Sequence, residues 1–188
     1  MKAGMPGVAA RGSHGEELRL AAARVRQALA ETDAYVTRED FGGYDPYDAL
    51  SSPIFELPLL RSNHYVRVGA QQVVKRLFVN IRPLLGITKK VSAVSLARML
   101  EGYAQLFAIE PSRRDYFRAR IEICLRRIDA LRSPSYTEHC WGYEWDWEPH
   151  YAEMPIPERS PNIIATGIIT NALFETHRLT GTIAPAPS

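Results

Sequence analysis

The sequence predicts an all-α fold of antiparallel helical hairpins, on three observations. Long segments repeat apolar residues at helical spacing, clusters of Pro and Gly fall between them, and no convincing strand pair appears. At 188 residues the chain suits one domain with its own core. The 46% hydrophobic and 23% charged content is that of a globular protein. A formal charge of +2 makes no electrostatic case for nucleic acid or an anionic membrane.

Taken in order, residues 1–12 read as an unstructured lead-in. Ser13 with Glu16 forms a capping box, and Leu18, Ala22, Val25 and Leu29 mark the helix that follows. A loop from about Tyr35 to Ser52 contains Gly42, Gly43 and Pro46. Pro53 opens a short helix that Pro58 stops. The segment 64–85 predicts a long helix whose stripe is Val66, Ala70, Val73, Val74, Leu77, Phe78, Ile81 and Leu85, ended by Pro83 and Gly86. Residues 91–109 predict a helix apolar on more than one face. Ser112, with Asp115 three residues on, caps the next, which carries Phe117, Ile121, Cys124, Leu125, Ile128 and Leu131.

A second loop runs from about Ser133 to Ser160, roughly 27 residues, well beyond the usual connection length. Ser160 and Pro161 open the last helix, ended near Gly181, and residues 182–188 read as an unstructured tail. If the segment 52–60 crosses the helical layer as a short helix, both long loops open on the same end of the array. If it does not, they share no site.

The second loop contains "CWGYEWDWEPHY" at 140–151, with all three tryptophans. Along an extended backbone its aromatic residues would face one side and Glu144, Asp146 and Glu148 the other. Aromatic faces stack on the C–H faces of pyranoses, and carboxylates bind hydroxyls or move protons. The structural alternative is that the tryptophans plug the core and the acids cap helix N-termini. Trp141 and Tyr143 are expected against helix ends, with Gly142 letting the backbone pass close by. Trp145, Asp146, Trp147 and Glu148 are expected at the mouth. Asp146, between two tryptophans, is expected to have the most raised pKa. The first loop repeats the theme with Tyr44, Asp45, Tyr47 and Asp48, where Asp-Pro is also a common turn opener.

Other chemistries find no motif. His139, His150 and His177 are scattered, no zinc spacing is present, and neither a metal nor a cofactor is expected. The nucleophile elbow, the P-loop, the dinucleotide fingerprint and the acidic motifs of terpene cyclases are all absent. Seven arginines between Arg113 and Arg132 read as a solvated face. Cys124 and Cys140 lack any paired framework and fit free thiols in a reducing compartment, with Cys124 inert on an apolar stripe. No apolar run approaches the ~20 residues of a membrane span, and the start lacks an apolar signal region, so a cytoplasmic location is expected.

Four segments carry a resemblance: "GGYDPYDALSSPIFE", "KRLFVNIRPLLGITKKVSAVSLARMLEGYAQLF", "CWGYEWDW" and "SPNIIATGIITNALFETHRLTG". Together they resemble the N-terminal half of uncharacterised bacterial (α/α)-toroid proteins. These are similar in architecture to six-hairpin glycosidases and prenyltransferase-cyclase toroids, and often accompany surface-polysaccharide biosynthesis. The resemblance covers about residues 40–181. It implies a partial (α/α)6 toroid, with the missing half on a longer chain or supplied by a second chain. It also implies binding or processing of a glycan or sugar-containing intermediate. The catalytic candidates are Asp146, Asp48 and Glu144, and the substrate-binding candidates are Tyr44, Asp45, Tyr47, Trp145, Trp147 and Glu148. The alternatives are a non-catalytic helical interaction module and a prenyl- or polyprenyl-handling toroid. A half-ring would also leave a large apolar patch exposed, or hide it in a dimer.

Overall fold

The computed structural model describes residues 9–149 and 156–181. The chain is mostly helical, with six α-helices among the described residues. Of the expected lead-in, residues 1–8 lie outside the description, and residues 9–12 are helical. The expected tail over 182–188, and His150 with residues 151–155 of the second loop, also lie outside it.

The chain divides into two compact units, Met1–Phe41 and Gly42–Ser188. The first unit is one helix, α1 (Ala9–Arg38), rich in alanine and arginine, both strong helix formers. It ends where Asp40 and Phe41 take positive φ. Ser13 lies inside α1 rather than at the helix boundary that the capping box would mark. Leu18, Val25 and Leu29 of its apolar stripe are exposed.

In the second unit, β1 (Gly42–Gly43) pairs antiparallel with β2 (Lys90–Val91). A 3-10 turn over Asp48–Ser51 and another over Pro53–Glu56 follow β1. The turn opened by Pro53 ends at Glu56, before Pro58 as expected, and Pro58 itself opens the single turn α2 (Pro58–Arg61), where its missing N–H costs nothing. The helix α3 (His64–Arg76) is capped by Asn63, whose side-chain oxygen accepts from Val66 N–H at 3.2 Å.

The core lies among α4 (Ala93–Ile109), α5 (Arg114–Ala130) and α6 (Ile163–Thr180). The helix α4 packs against both α5 and α6, the reason for its apolar residues on more than one face. It buries Leu96, Ala97, Leu100, Tyr103 and Ala104, while α5 contributes Phe117, Ile121, Cys124 and Ile128. Ala165, Ile169, Ala172 and Thr176 supply the buried stripe of α6. Asn162 caps α6 by accepting from Ile164 and Ala165 N–H, and Gly181 ends it in the left-handed conformation. The expected Ser112 cap does not form, because Pro111–Arg113 make a 3-10 turn and Arg113 takes the cap position.

The expected helix over 64–85 ends nine residues early, at Arg76. Beyond Leu77 the chain turns back, and Arg82 binds Asp48 at 2.8 Å and the Asp45 carbonyl at 2.8 Å. Continuing the helix would remove this cation from the buried Asp48, at a cost of several kcal/mol. Ser52 Oγ–H donates to the Leu85 carbonyl at 2.6 Å and ties the returning chain down. The orientation of α3 also differs from expectation. Its buried face is Arg67, Gln71 and Val74, whereas Val66 and Val73 of the apolar stripe are exposed, as are Tyr65 at 83% and Phe78 at 98%.

Candidate functional site

The two long loops converge on one cleft of about 550 Å³ in the second unit. Asp45 and Tyr47 line it from the first loop, and Tyr143, Trp145, Trp147 and Glu148 from the second. Gln71, Gln72 and Lys75 complete it from α3, with Asn162 and Ile164 at the start of α6.

Backbone hydrogen bonds hold the second loop in place. Arg159 N–H donates to the Tyr143 carbonyl at 2.6 Å, and Asn162 N–H to the Trp141 carbonyl at 2.9 Å. Trp147 and Ile156 exchange a pair of bonds at 2.9 and 2.7 Å. Trp141 is buried and its indole N–H donates to the Ile128 carbonyl at 2.7 Å, so it anchors the loop on α5. Bends at Glu144 and Trp145 interrupt the extended backbone. Even so, Tyr143, Trp145 and Trp147 share the cleft side while Glu144 and Asp146 lie elsewhere, as the alternation predicts, and only Glu148 departs from it by lining the cleft with the aromatic residues.

What results is an aromatic wall. Tyr143 and Trp145 stack at 5.2 Å between ring centres with planes 22° apart. Tyr143, expected against the helix ends, lines the cleft, whereas Trp145 lines it while nearly buried.

The three carboxylates of the row go separate ways. Glu144 is buried and accepts from Ala93 N–H at 2.8 Å in the first turn of α4, the helix-terminus position weighed as the structural alternative. Burial pushes its carboxyl above the ordinary glutamate value. Asp146 is exposed and accepts from Glu158 N–H at 2.9 Å. It lines a smaller depression with Ser52, Phe55, Arg61 and Arg67, and so lacks the apolar surroundings expected for it. Glu148 is fully buried, clamped by Arg67 at 2.6 and 3.0 Å and by His64 Nδ1 at 2.5 Å. Burial pushes its carboxyl up, but the Arg67 and His64 hydrogen bonds outweigh this and hold it below the ordinary value.

In the first loop, Asp45 Oδ1 accepts from Tyr47 N–H at 2.8 Å, and Asp48 Oδ2 accepts from Asp45 N–H at 3.0 Å. Burial, with the Asp48 carboxylate adding to it, pushes the Asp45 carboxyl above its ordinary range. Burial and the nearby Asp45 also raise the Tyr143 hydroxyl. Asp48 is buried beside Arg82, and Tyr44 lies under the Arg82 guanidinium at 5.7 Å. Neither Asp48 nor Tyr44 lines the cleft.

Sequence reasoning missed His64, Arg67, Gln71 and Lys75. They recur at helical spacing along α3, and that polar stripe within an otherwise apolar helix was the available signal. Among the described residues, no group of three His, Cys, Asp or Glu side chains lies close enough to hold a metal ion. No helix among them is long and apolar enough to cross a membrane. Comparison with known proteins finds no matching family model, no matching curated protein and no matching solved structure.

Proposed function

We propose that the cleft binds a glycan or sugar-containing intermediate, and that the chain is a carbohydrate-related half of an (α/α)-toroid. The convergence of an aromatic wall and hydrogen-bonding side chains on a cleft of sugar size carries the reading. Tyr143 and Trp147 offer rings for pyranose C–H faces, with the buried Trp145 stacked on Tyr143 as backing, and Asp45, Gln71 and Asn162 offer groups for hydroxyls. Where the bound sugar is also turned over, Asp45 is the better proton donor, replacing Asp146. It lines the cleft, and burial keeps its proton on to higher pH.

Titration of neutral and acidic oligosaccharides against tryptophan fluorescence tests this, because every tryptophan lies between Trp141 and Trp147. A saturable change that Asp45→Asn weakens, with the melting temperature kept, supports the reading. A flat response to every saccharide refutes it.

The exposed apolar residues of α3 and the segment after it favour a second reading, a helical interaction module. Tyr65, Val73, Phe78 and Leu84 would meet a second chain or the missing half of a toroid. Concentration-dependent mass in light scattering supports it, and a monomer at every concentration speaks against a self-association.

A further inference from the structure

Charge on the cleft wall narrows the ligand class, given the saccharide reading above. The lining holds two carboxyl side chains and one cation, Lys75. Both oxygens of Glu148 are engaged by Arg67 and His64, so that negative charge is already matched. Asp48, behind Asp45, is matched by Arg82, and the Asp45 carboxyl, whose burial keeps its proton on to higher pH, feels Arg82 and Lys75 without pairing with Lys75 within 4.0 Å. Lys75 is different. Its ammonium meets the Tyr47 hydroxyl and sits 4.1 Å from the centre of the Tyr47 ring. Within 4.0 Å no carboxylate pairs with it among the described residues.

An ammonium has three N–H donors, and the Tyr47 hydroxyl accepts one. That hydroxyl then keeps its own proton to donate. Gln71 and Gln72 lie four and three residues before Lys75, on the same side of α3, and both line the cleft. The ring beneath the ammonium steadies the cation without neutralising it. Donors therefore gather at this end of the cleft, next to the aromatic wall.

We infer that the saccharide bound here is anionic, with its carboxylate or phosphate received by Lys75 and the Tyr47 hydroxyl while the ring stacks on the aromatic wall. A uronic acid and a sugar phosphate share this chemistry, and paired ligands separate them.

Calorimetric titration would compare trigalacturonate with galactotriose, and glucose 1-phosphate with glucose, at low and high salt. At low salt the acid that matches the site binds tenfold or more tighter than its neutral partner, on the order expected of one charge-assisted contact. Whichever pair shows the difference identifies the anion. Lys75→Gln lowers the affinity for the acid more than that for its neutral partner and so removes the advantage, and Lys75→Arg retains most of it. Lys75 is exposed, so neither variant threatens the fold, and circular dichroism verifies this. Equal affinities within both pairs, or an advantage that survives Lys75→Gln, overturn the inference while leaving saccharide binding standing. If no saccharide binds, acidic or neutral, the reading of the cleft fails as well.

Discussion

Gly142→Ala is predicted to be among the most damaging single-methyl changes in this chain. A Cβ built on Gly142 falls onto the Ser160 carbonyl oxygen, 2.8 Å from Ser160 C and 2.9 Å from Arg159 C. Ordinary carbon contacts are about 3.5 Å or more. Nothing flexible can yield, because all the obstructing atoms are backbone. The two strands of chain must separate, and the bonds on either side of Gly142 go with them: Arg159 N–H to the Tyr143 carbonyl, and Asn162 N–H to the Trp141 carbonyl. Two such bonds contribute about 2 kcal/mol net, and forced overpacking costs about 1–3 kcal/mol more. The expected loss is therefore about 3–5 kcal/mol, a large part of the stability of an ordinary domain. Urea unfolding followed by tryptophan fluorescence measures it. A loss below about 1 kcal/mol would refute the close approach of the two segments.

Three further outcomes follow from the buried charges. Removing one member of the Glu148–Arg67 pair, by Arg67→Met or Glu148→Leu, should cost about 3–5 kcal/mol, whereas the double change should cost less than either alone. Denaturant midpoints of the single and double variants decide this, and simple additivity contradicts it. The Glu148 carboxyl is held below its ordinary value of 4.5 in the folded protein, so its contribution is present above about pH 4.5 and is lost as pH falls through the depressed value. A stability profile that stays flat on acidification contradicts that sign. Glu144 runs the opposite way: its folded value is raised, so ionisation opposes folding as pH rises through it. Glu144→Gln keeps an acceptor for Ala93 N–H and removes the charge, so it should match or exceed the parent at pH 7. A loss there of more than about 1 kcal/mol counts against this assignment.

The legible parts of the fold are those where periodicity reflects packing. Residues of α4 such as Leu96, Leu100 and Ala104 announce a helix covered on two sides, and the Phe117–Ile121–Cys124–Ile128 stripe of α5 is buried as its spacing indicates. A close passage at Gly142 was also legible, since glycine among bulky aromatic residues marks a tight approach, although its neighbour is the loop backbone at Arg159 and Ser160 rather than the packed helices expected. The short course of α3 was not. It depends on Arg82 reaching Asp48, a pairing 34 residues apart that no local pattern records. The polar stripe that contains Arg67 was legible, but its burial was not, because that rests on Glu148, 81 residues away. Tyr143 was expected with Trp141 against the helix ends, yet it shares the cleft side with Trp145 and Trp147, and Asp146 was expected at the mouth with them, yet it lines a separate depression. Asp45, Tyr47, Trp145 and Trp147 stood out because aromatic-acidic runs in two long loops are unusual, and those loops do meet on one cleft.

In the proposed reading, a bound sugar ring rests on the aromatic wall of Tyr143, Trp145 and Trp147. Saturation-transfer difference NMR addresses it most directly, with the protein's aromatic protons irradiated in the presence of trigalacturonate and galactotriose. Transfer to the pyranose C–H protons of one face is expected, reduced in Trp147→Ala and preserved in Asp146→Asn. No transfer to either sugar from the folded protein, or equal transfer from Trp147→Ala, would contradict it.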